Sequence, residues 1–288
     1  MKKVYLMALA LVFATCTKEV KSTLPDVDYE GFTVLEARIE SLLIGEGDGR
    51  TWEEGAAIGV FGSEKGYNEK YLLRSADASL SEALFYGPRV SGKEISAYFP
   101  YQSSASGAAE ALTLVLASNQ TYDESAGAKE FFLRYCPTAY AFLEGNALNF
   151  QYPFGLLEVK IALEETLFVN EITCSSASVP VSGIAAIDRR GYAFTPGAGE
   201  QLSLSFSEAV SSRMEDGSVR SFYLVLAPGE YTDLTLSIGI EGEQNPILIA
   251  PSLLSVPRIS AVDFSLASVF VGTGGPEGFD PENVHFDE

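Results

Sequence analysis

Histidine and basic residues are scarce in this sequence. The one histidine, His285, lies three residues from the C-terminus, so a Ser/His/Asp triad, a Cys/His pair or a histidine-ligated zinc site would have to be built on a chain end. Chain ends are usually poorly ordered, and we therefore expect none of these sites. Lys and Arg together number 19 against 39 Asp and Glu, which gives a formal net charge of −20. Because phosphate contacts require clustered Lys and Arg, we also expect no binding of nucleic acid.

The remaining candidates for chemistry have patterns that favour ordinary turns and strand faces. Glu53-Glu54 and Glu164-Glu165 are neighbours that point to opposite faces of a strand, whereas a carboxylate-based hydrolase needs two carboxylates roughly 5–10 Å apart in one cleft. The acidic segments 45–49 and 278–288 lack the regular Asp spacing of a calcium loop. The serines of segment 176–178 have no base nearby in sequence. We therefore predict that the protein is not an enzyme and that it holds no cofactor and no metal.

Long apolar runs are also missing, apart from one at the N-terminus. Lys2 and Lys3 precede eleven apolar residues, Val4 to Ala14. Eleven residues at about 1.5 Å each are too few to cross about 30 Å of hydrocarbon, so this segment is predicted to be a signal peptide. No later segment approaches the roughly 18 apolar residues that a membrane-spanning helix needs.

Cys16 follows Phe13, Ala14 and Thr15 at the end of the apolar run. This arrangement resembles the lipobox of bacterial lipoproteins, which implies removal of residues 1–15, acylation of Cys16 and a lipid anchor in the outer membrane. Residues 16–29 are then a polar spacer. The alternative is ordinary signal-peptidase cleavage after Ala14, because Val12 and Ala14 are small residues at the two key positions. We favour the lipoprotein because the apolar run ends at the cysteine and a Lys-rich spacer follows.

Only two cysteines lie beyond Cys16. In an exported protein Cys136 and Cys174 can form a disulfide, but their separation has no diagnostic value. Two buried thiols in separate strands are the other alternative.

Short alternating or all-apolar runs make up most of the chain, and Gly, Pro, Ser and Asp separate them. No segment keeps a 3.6-residue period for four turns, so the pattern predicts antiparallel β-structure. The predicted strands are 33–39, 56–61, 94–101, 112–117, 130–135, 147–152, 156–163, 168–174, 201–206, 219–227, 234–240 and 261–271. A spacing near ten residues is typical of β-sandwiches, and the length suits two of them. Turn residues in segment 143–149 suggest a boundary, which gives domains at 30–145 and 146–271 and an acidic tail at 272–288.

Four segments combine aromatic residues with glycine and proline in a particular order. Segment 52–61 has a tryptophan, an acidic turn and an Ile-Gly-Val strand, and segment 95–101 ends in Tyr-Phe-Pro-Tyr. Segment 148–157 begins a strand with alternating aromatics, and segment 224–231 contains an Ala-Pro-Gly-x-Tyr turn. Together they resemble the fimbrillin family, the pilin subunits and pilus-like surface proteins of anaerobic gut and oral bacteria. The resemblance implies transthyretin-like, Greek-key β-sandwiches.

The resemblance also implies a mode of assembly. Fimbrillins are exported as lipoproteins, a trypsin-like protease cuts after an arginine that follows the first strand, and the vacated groove accepts a strand of the next subunit. Here the candidate first strand is 32–44, and the glycine-rich loop 45–50 ends in Arg50, the predicted processing site. The implied partners are other pilin subunits, the outer membrane and a host protein or glycan. The predicted function is a pilus subunit or adhesin at the cell surface; the alternative is a non-polymerising surface lipoprotein that binds glycan or protein.

Overall fold

Strands dominate the computed structural model, which describes residues 32–39, 52, 55–62, 67–74, 82–90, 92, 94–105, 107–194, 199–259 and 267–272. Up to residue 150 the elements are β1 (Phe32–Ile39), β2 (Ala57–Gly62), β3 (Glu69–Leu73), β4 (Glu82–Pro88), β5 (Ile95–Phe99), β6 (Ala111–Leu116), β7 (Asn119–Thr121), α1 (Ala128–Tyr135), β8 (Ala139–Glu144) and β9 (Ala147–Phe150). The later elements are β10 (Gly155–Ile161), β11 (Phe168–Ser175), β12 (Gly183–Asp188), β13 (Gly191–Phe194), β14 (Gln201–Ser211), β15 (Ser221–Leu226), β16 (Gly229–Tyr231), β17 (Thr235–Ile240), β18 (Ile247–Ile249), β19 (Leu254–Val256) and β20 (Ala267–Val271). The prediction of an all-β protein is confirmed.

Seven strands form a closed barrel in the order β1-β4-β3-β2-β5-β8-β9. Its core is built around Trp52, whose ring packs edge-on against Phe85, Phe99 and Phe150 at centroid distances of 4.8, 5.0 and 5.5 Å. Large rings dominate because each removes much apolar area from water. The sequence pattern predicts a sandwich for this part of the chain, and the observed sheet differs in its closure, since its two edges pair with each other.

The later strands form a sandwich-type arrangement. A five-stranded sheet has the order β18-β17-β11-β14-β7, and a three-stranded sheet has the order β15-β10-β20. Buried residues of both sheets belong to one core cluster, for example Val159 of β10, Leu204 of β14 and Leu224 of β15. In β17 buried and half-buried residues alternate, as expected for a sheet with one face on the core. Two smaller sheets, β13-β12-β6 and β16-β19, complete the described part of the fold.

Strands β6 and β7 lie between β5 and β8 in the chain but pair with strands from beyond residue 146. Strand β6 pairs antiparallel with β12 over six residue pairs, and β7 pairs in parallel with β14 over three. The side chain of Gln120 in β7 also bonds to the backbone of Val225 in β15. The division into domains at 30–145 and 146–271 stays a prediction.

One predicted strand, 130–135, is wrong, because these residues belong to the helix α1. Phe131, Leu133 and Tyr135 alternate with other residues as in a strand, but the buried side chains are the adjacent Phe131 and Phe132. Glu130 in the first turn and Arg134 in the last complement the helix dipole. The described residues include no helix long and apolar enough to cross a membrane.

Both described cysteines are buried thiols. Cys174 lies in β11, and burial raises its pKa to about 12. Cys136 directly follows α1, so the expectation that each thiol sits in a strand is correct for Cys174 alone.

Candidate subunit interface: the first strand and its groove

Strand β1 joins the two ends of the barrel sheet. It pairs antiparallel with β4 over seven residue pairs, from Phe32 opposite Pro88 to Arg38 opposite Glu82. On its other side it pairs in parallel with β9 over four. Strands β4 and β9 are therefore connected through β1, and a barrel without β1 has two unpaired edges that face one groove.

Strand β1 has one face buried against the barrel core and one face exposed to solvent. Among its described side chains, Leu35 and Ala37 are the buried ones. The outer face has the exposed Phe32 and Val34, followed by an exposed ion pair of Arg38 with Glu36 at 2.8 Å. Side chains alternate along a strand, so this two-faced pattern follows directly from the sequence. Of the described side chains of β1, one leucine and one alanine are therefore buried against the core that the strand covers.

The floor of the groove consists of rings that belong to other elements. Phe85 of β4 lies opposite Leu35, and Phe150 of β9 lies opposite Ile39. Both rings pack on the buried Trp52. The aromatic core under β1 is therefore held together by contacts that do not involve β1.

The β4 wall of the groove is fixed by a close contact with β3. A Cβ atom on Gly87 would lie 2.4 Å from the ring of Tyr71, so only glycine allows the ring to lie against this backbone. The Tyr71 hydroxyl donates a hydrogen bond to the carbonyl oxygen of Pro88 at 2.6 Å. Burial raises the pKa of Tyr71 to about 12, so the hydroxyl stays protonated as a donor at neutral pH. The Tyr71 hydroxyl also hydrogen-bonds to the side chain of Thr33, so β1 takes part in fixing this wall.

The predicted processing site lies next to this groove in sequence. Arg50 and the loop residues 40–51 lie outside the described residues. Trp52, two positions further on, is buried in the barrel core. The chain is thus anchored directly after the predicted cut.

Other residues singled out in the sequence do not form a site within the described part of the chain. Cys16, Glu53, Glu54 and the tail from residue 273 lie outside it. Glu164 and Glu165 are exposed in the bend after β10. The described residues contain no group of three potential metal ligands.

The serines of segment 176–178 bind a carboxylate that the sequence analysis did not consider. Asp233 accepts hydrogen bonds from the hydroxyls of Ser178 at 2.6 Å and Ser176 at 2.7 Å, and from the amides of Ala177 and Ser178. The Ser178 and Ser176 hydroxyls lower the pKa of Asp233 to about 2. These hydrogen bonds fix the loop, and the lowered pKa makes the Asp233 carboxylate a weak base.

The β4 wall is the part of the groove that the sequence analysis missed. The sequence signal for this strand is an alternating pattern, in which Ala83, Phe85 and Gly87 are separated by polar or more exposed residues. The β9 wall overlaps segment 148–157, one of the four segments that resemble fimbrillins.

The solved structures to which this chain is similar include putative cell adhesion proteins and a fimbrial protein. A putative cell adhesion protein from Bacteroides ovatus matches 88% of this chain and 95% of its own, with 12% identity and a TM-score of 0.51. A second one, from Bacteroides uniformis, matches 84% and 94% with 15% identity and a TM-score of 0.47. The tip fimbrial protein Mfa3 from Porphyromonas gingivalis matches 76% and 81% with 11% identity and a TM-score of 0.34.

Neither a protein-family model nor a curated protein matches the chain. At 12% identity the Bacteroides ovatus structure establishes a shared fold over nearly the whole of both chains. The prediction of a fimbrillin-like chain is confirmed at the level of the fold.

Proposed function

We propose that the protein is a fimbrillin-like surface subunit or adhesin that assembles by β-strand donation after its first strand is removed. The observation that carries this proposal is the position of β1, which alone joins β4 to β9 in the barrel sheet. The adhesion and fimbrial proteins among the structures with a related fold agree with this role. Cell-surface location and contact with other subunits are part of the proposal.

Exchange of β1 for a strand of another subunit is reasonable in energetic terms. Removal exposes unpaired backbone groups on β4 and β9, which an incoming extended segment can pair again. Among the described side chains of β1, the buried ones are Leu35, whose full burial contributes about 1.5–3 kcal/mol, and Ala37, which contributes less. An incoming strand with apolar residues at these two positions therefore restores the barrel.

A cut after Arg50 separates β1 from the rest of the chain at a suitable place. The loop 45–50 contains three glycines, and loops rich in small residues are preferred sites of proteolysis. Trp52 keeps the new N-terminus fixed to the barrel, because its ring packs on three other rings. The lipid on Cys16 leaves together with β1, so the same cut releases the subunit from its membrane anchor.

Intact mass and N-terminal sequencing of protein from surface fractions of the native host test this function. We expect a chain that begins at Thr51 and SDS-resistant ladders. The variant Arg50→Gln is expected to stay uncut, with an acylated Cys16 and no ladder. The matched control Arg38→Gln removes the same charge within β1 and is expected to be processed like the unmodified protein.

Two results contradict the proposal. Ladders that contain uncut chains would show that β1 stays in the assembled barrel. An acylated, uncut monomer in the unmodified strain would favour the alternative, a non-polymerising surface lipoprotein that binds glycan or protein.

A further inference from the structure

A polar cavity of about 340 Å³ lies between the barrel and the later sheets, and three of the ten arginines of the chain line it. We call it the arginine cavity and define it by Arg189, Arg190, Arg258, Asn149, Gln151 and Tyr140. It shares Asn149 of β9 with the β1 groove, and its other lining residues lie outside that groove. A concentration of basic residues in a chain with a net charge of −20 needs an explanation.

Three elements that are distant in sequence build the cavity. On the outer face of the barrel, Tyr140 of β8 lies opposite Gln151, and the two backbones exchange hydrogen bonds of 2.9 Å each. Asn149 of β9 is two residues from Gln151 and lies on the same face. The hairpin of β12 and β13 and the loop after β19 cover this face. The cavity therefore exists only in the folded chain.

The hairpin places two guanidinium groups at its tip. Asp188 pairs with Gly191, which leaves Arg189 and Arg190 as a two-residue loop. Gly191 has φ +141°, a conformation that residues with a side chain rarely adopt. This turn places the backbone of both arginines beside the cavity, and both side chains are exposed there.

Within the described part of the chain, neutral groups orient Arg189 and Arg258. Arg189 donates to the carbonyl oxygen of Leu143 at 3.1 Å, and its guanidinium lies 5.6 Å from the ring centroid of Phe142. Arg258 donates to the hydroxyl of Tyr140 at 3.3 Å. No carboxylate of the described residues forms an ion pair with either one. Both guanidinium groups therefore keep N–H donors for an anion.

Arg190 differs from the other two arginines. It donates two hydrogen bonds to Asp188, at 2.8 and 3.1 Å, and this contact lowers the pKa of the Asp188 carboxyl. With Glu144 at the exposed rim, the lining has three positive and two negative side chains. The positive charge that is not neutralised by direct contact lies on Arg189 and Arg258.

The lining favours a sugar over a peptide or a lipid. Guanidinium groups bind carboxylates through paired N–H donors. The amides of Asn149 and Gln151 both donate and accept, as the hydroxyls of a sugar require. The rings of Tyr140 and Phe142 are buried, so they offer little apolar surface to a peptide side chain or an acyl chain. The volume is at the small end of about 300–1,000 Å³ for small-ligand sites, which suits one sugar unit.

We propose that the arginine cavity binds a carboxylate-bearing sugar unit of a glycan, with the carboxylate on Arg189 and Arg258 and the hydroxyls on Asn149 and Gln151. The inference rests on the proposed adhesin role, for which it supplies a ligand class. Binding does not require strand exchange, because the cavity shares with the β1 groove just one lining residue, Asn149 of β9, whose side chain is exposed on the outer face of the barrel.

Calorimetric titration of the purified full chain tests the site, with trigalacturonic acid as the acidic probe and galactotriose as its neutral counterpart. We expect the acidic trisaccharide to bind at least about tenfold more tightly, since a hydrogen bond to a charged group contributes that much. Arg189→Gln and Arg258→Gln are each expected to weaken its binding about tenfold. Arg190→Gln should have a smaller effect, because Asp188 already neutralises this side chain.

The matched control is Arg134→Gln, which removes one exposed charge that pairs with Asp123 outside the cavity. We expect it to bind like the unmodified chain. Arg258→Lys, which keeps the charge but loses the paired donors, is expected to bind with intermediate affinity, and it separates lost recognition from lost folding.

Four results overturn the inference: no binding of the acidic trisaccharide, equal binding of the neutral one, an equal loss in Arg134→Gln, or tighter binding of a synthetic peptide with the acidic sequence 277–288. The last of these would make the cavity a site for an acidic protein segment. Ladders and a chain beginning at Thr51 do not depend on the arginines, so the failure of this inference is distinguishable from the failure of the proposed function.

Discussion

The side chain of Gln120 forms the two backbone hydrogen bonds with Val225 that a neighbouring strand would otherwise form. Its side-chain amide donates to the Val225 carbonyl oxygen at 2.7 Å and accepts from the Val225 N–H at 2.9 Å, and all of these atoms are buried. The substitution Gln120→Ala leaves both backbone groups unsatisfied, at about 1–3 kcal/mol each. We expect the free energy of unfolding to fall by about 2–6 kcal/mol in urea titrations.

The control for this substitution lies in the same strand. Asn119 is exposed, and Asn119→Ala is expected to change the free energy of unfolding by less than about 0.5 kcal/mol. Equal effects of the two substitutions would show that the Gln120 hydrogen bonds do not contribute to stability.

Asp233 gives a pH-dependent contribution to stability. Its pKa is about 2 in the folded chain, below the ordinary value of 3.8, so folding favours the carboxylate. The contribution is complete above about pH 4 and is lost as the pH falls through about 2. In a carboxyl NMR titration we expect a midpoint near 2 for Asp233, and a midpoint closer to 3.8 in Ser178→Ala. An unchanged midpoint in that variant would contradict the assigned role of the Ser178 hydroxyl.

At the scale of elements, a cross-link between β1 and β4 is expected to block assembly. Ala37 and Ala83 are buried partners in the antiparallel register of β1 and β4. The Cα atoms of such partners lie about 4.5–5.5 Å apart, a separation at which a disulfide can form. The double variant Ala37→Cys/Ala83→Cys is expected to be cut after Arg50 but to form no ladders when oxidised, and to form them after reduction. Gel analysis of surface fractions checks both states.

A cross-link between β3 and β4 is the control for this prediction. Leu72 and Tyr86 are partners in the register of these strands, and β1 is not part of the pair. Leu72→Cys/Tyr86→Cys is expected to assemble in both redox states. Loss of ladders in this variant as well would show that the cross-link acts through a general effect on the barrel.

The elements differ in how far the sequence predicts them. Alternation predicts β1, and buried runs predict β10, because these patterns depend only on nearby residues. The helix α1 was predicted as a strand, since two turns are too short to separate the two periods. The parallel pair of β1 with β9 could not be predicted, because strand partners are chosen by the whole barrel. For the same reason, the sequence could not predict that Arg189 and Arg258 line one cavity. A pair of adjacent arginines, Arg189 and Arg190, is unusual in so acidic a chain and is the sequence signal for this site.

At the scale of the whole molecule, the pairings of β6 and β7 lead to a prediction about cooperative units. Strand β6 pairs with β12, β7 pairs with β14, and α1 packs against β15. We therefore expect the amides of β6 to exchange hydrogen together with those of β12 and β14, in a group distinct from β5 and β8. Native-state hydrogen exchange checks this. Joint exchange of β6 with β5 and β8 would instead support a boundary at residue 145.

The parallel pair that closes the barrel joins residues about 110 positions apart in the chain, such as Glu36 and Ala147. Contacts between residues so distant form late, because the intervening chain must first be confined. During synthesis β1 emerges long before β9, and one of its edges stays unpaired until β9 arrives. We therefore expect an open-sided barrel during folding, before any protease acts, and in the proposed assembly the space offered to a donor strand is first occupied by a part of the same chain.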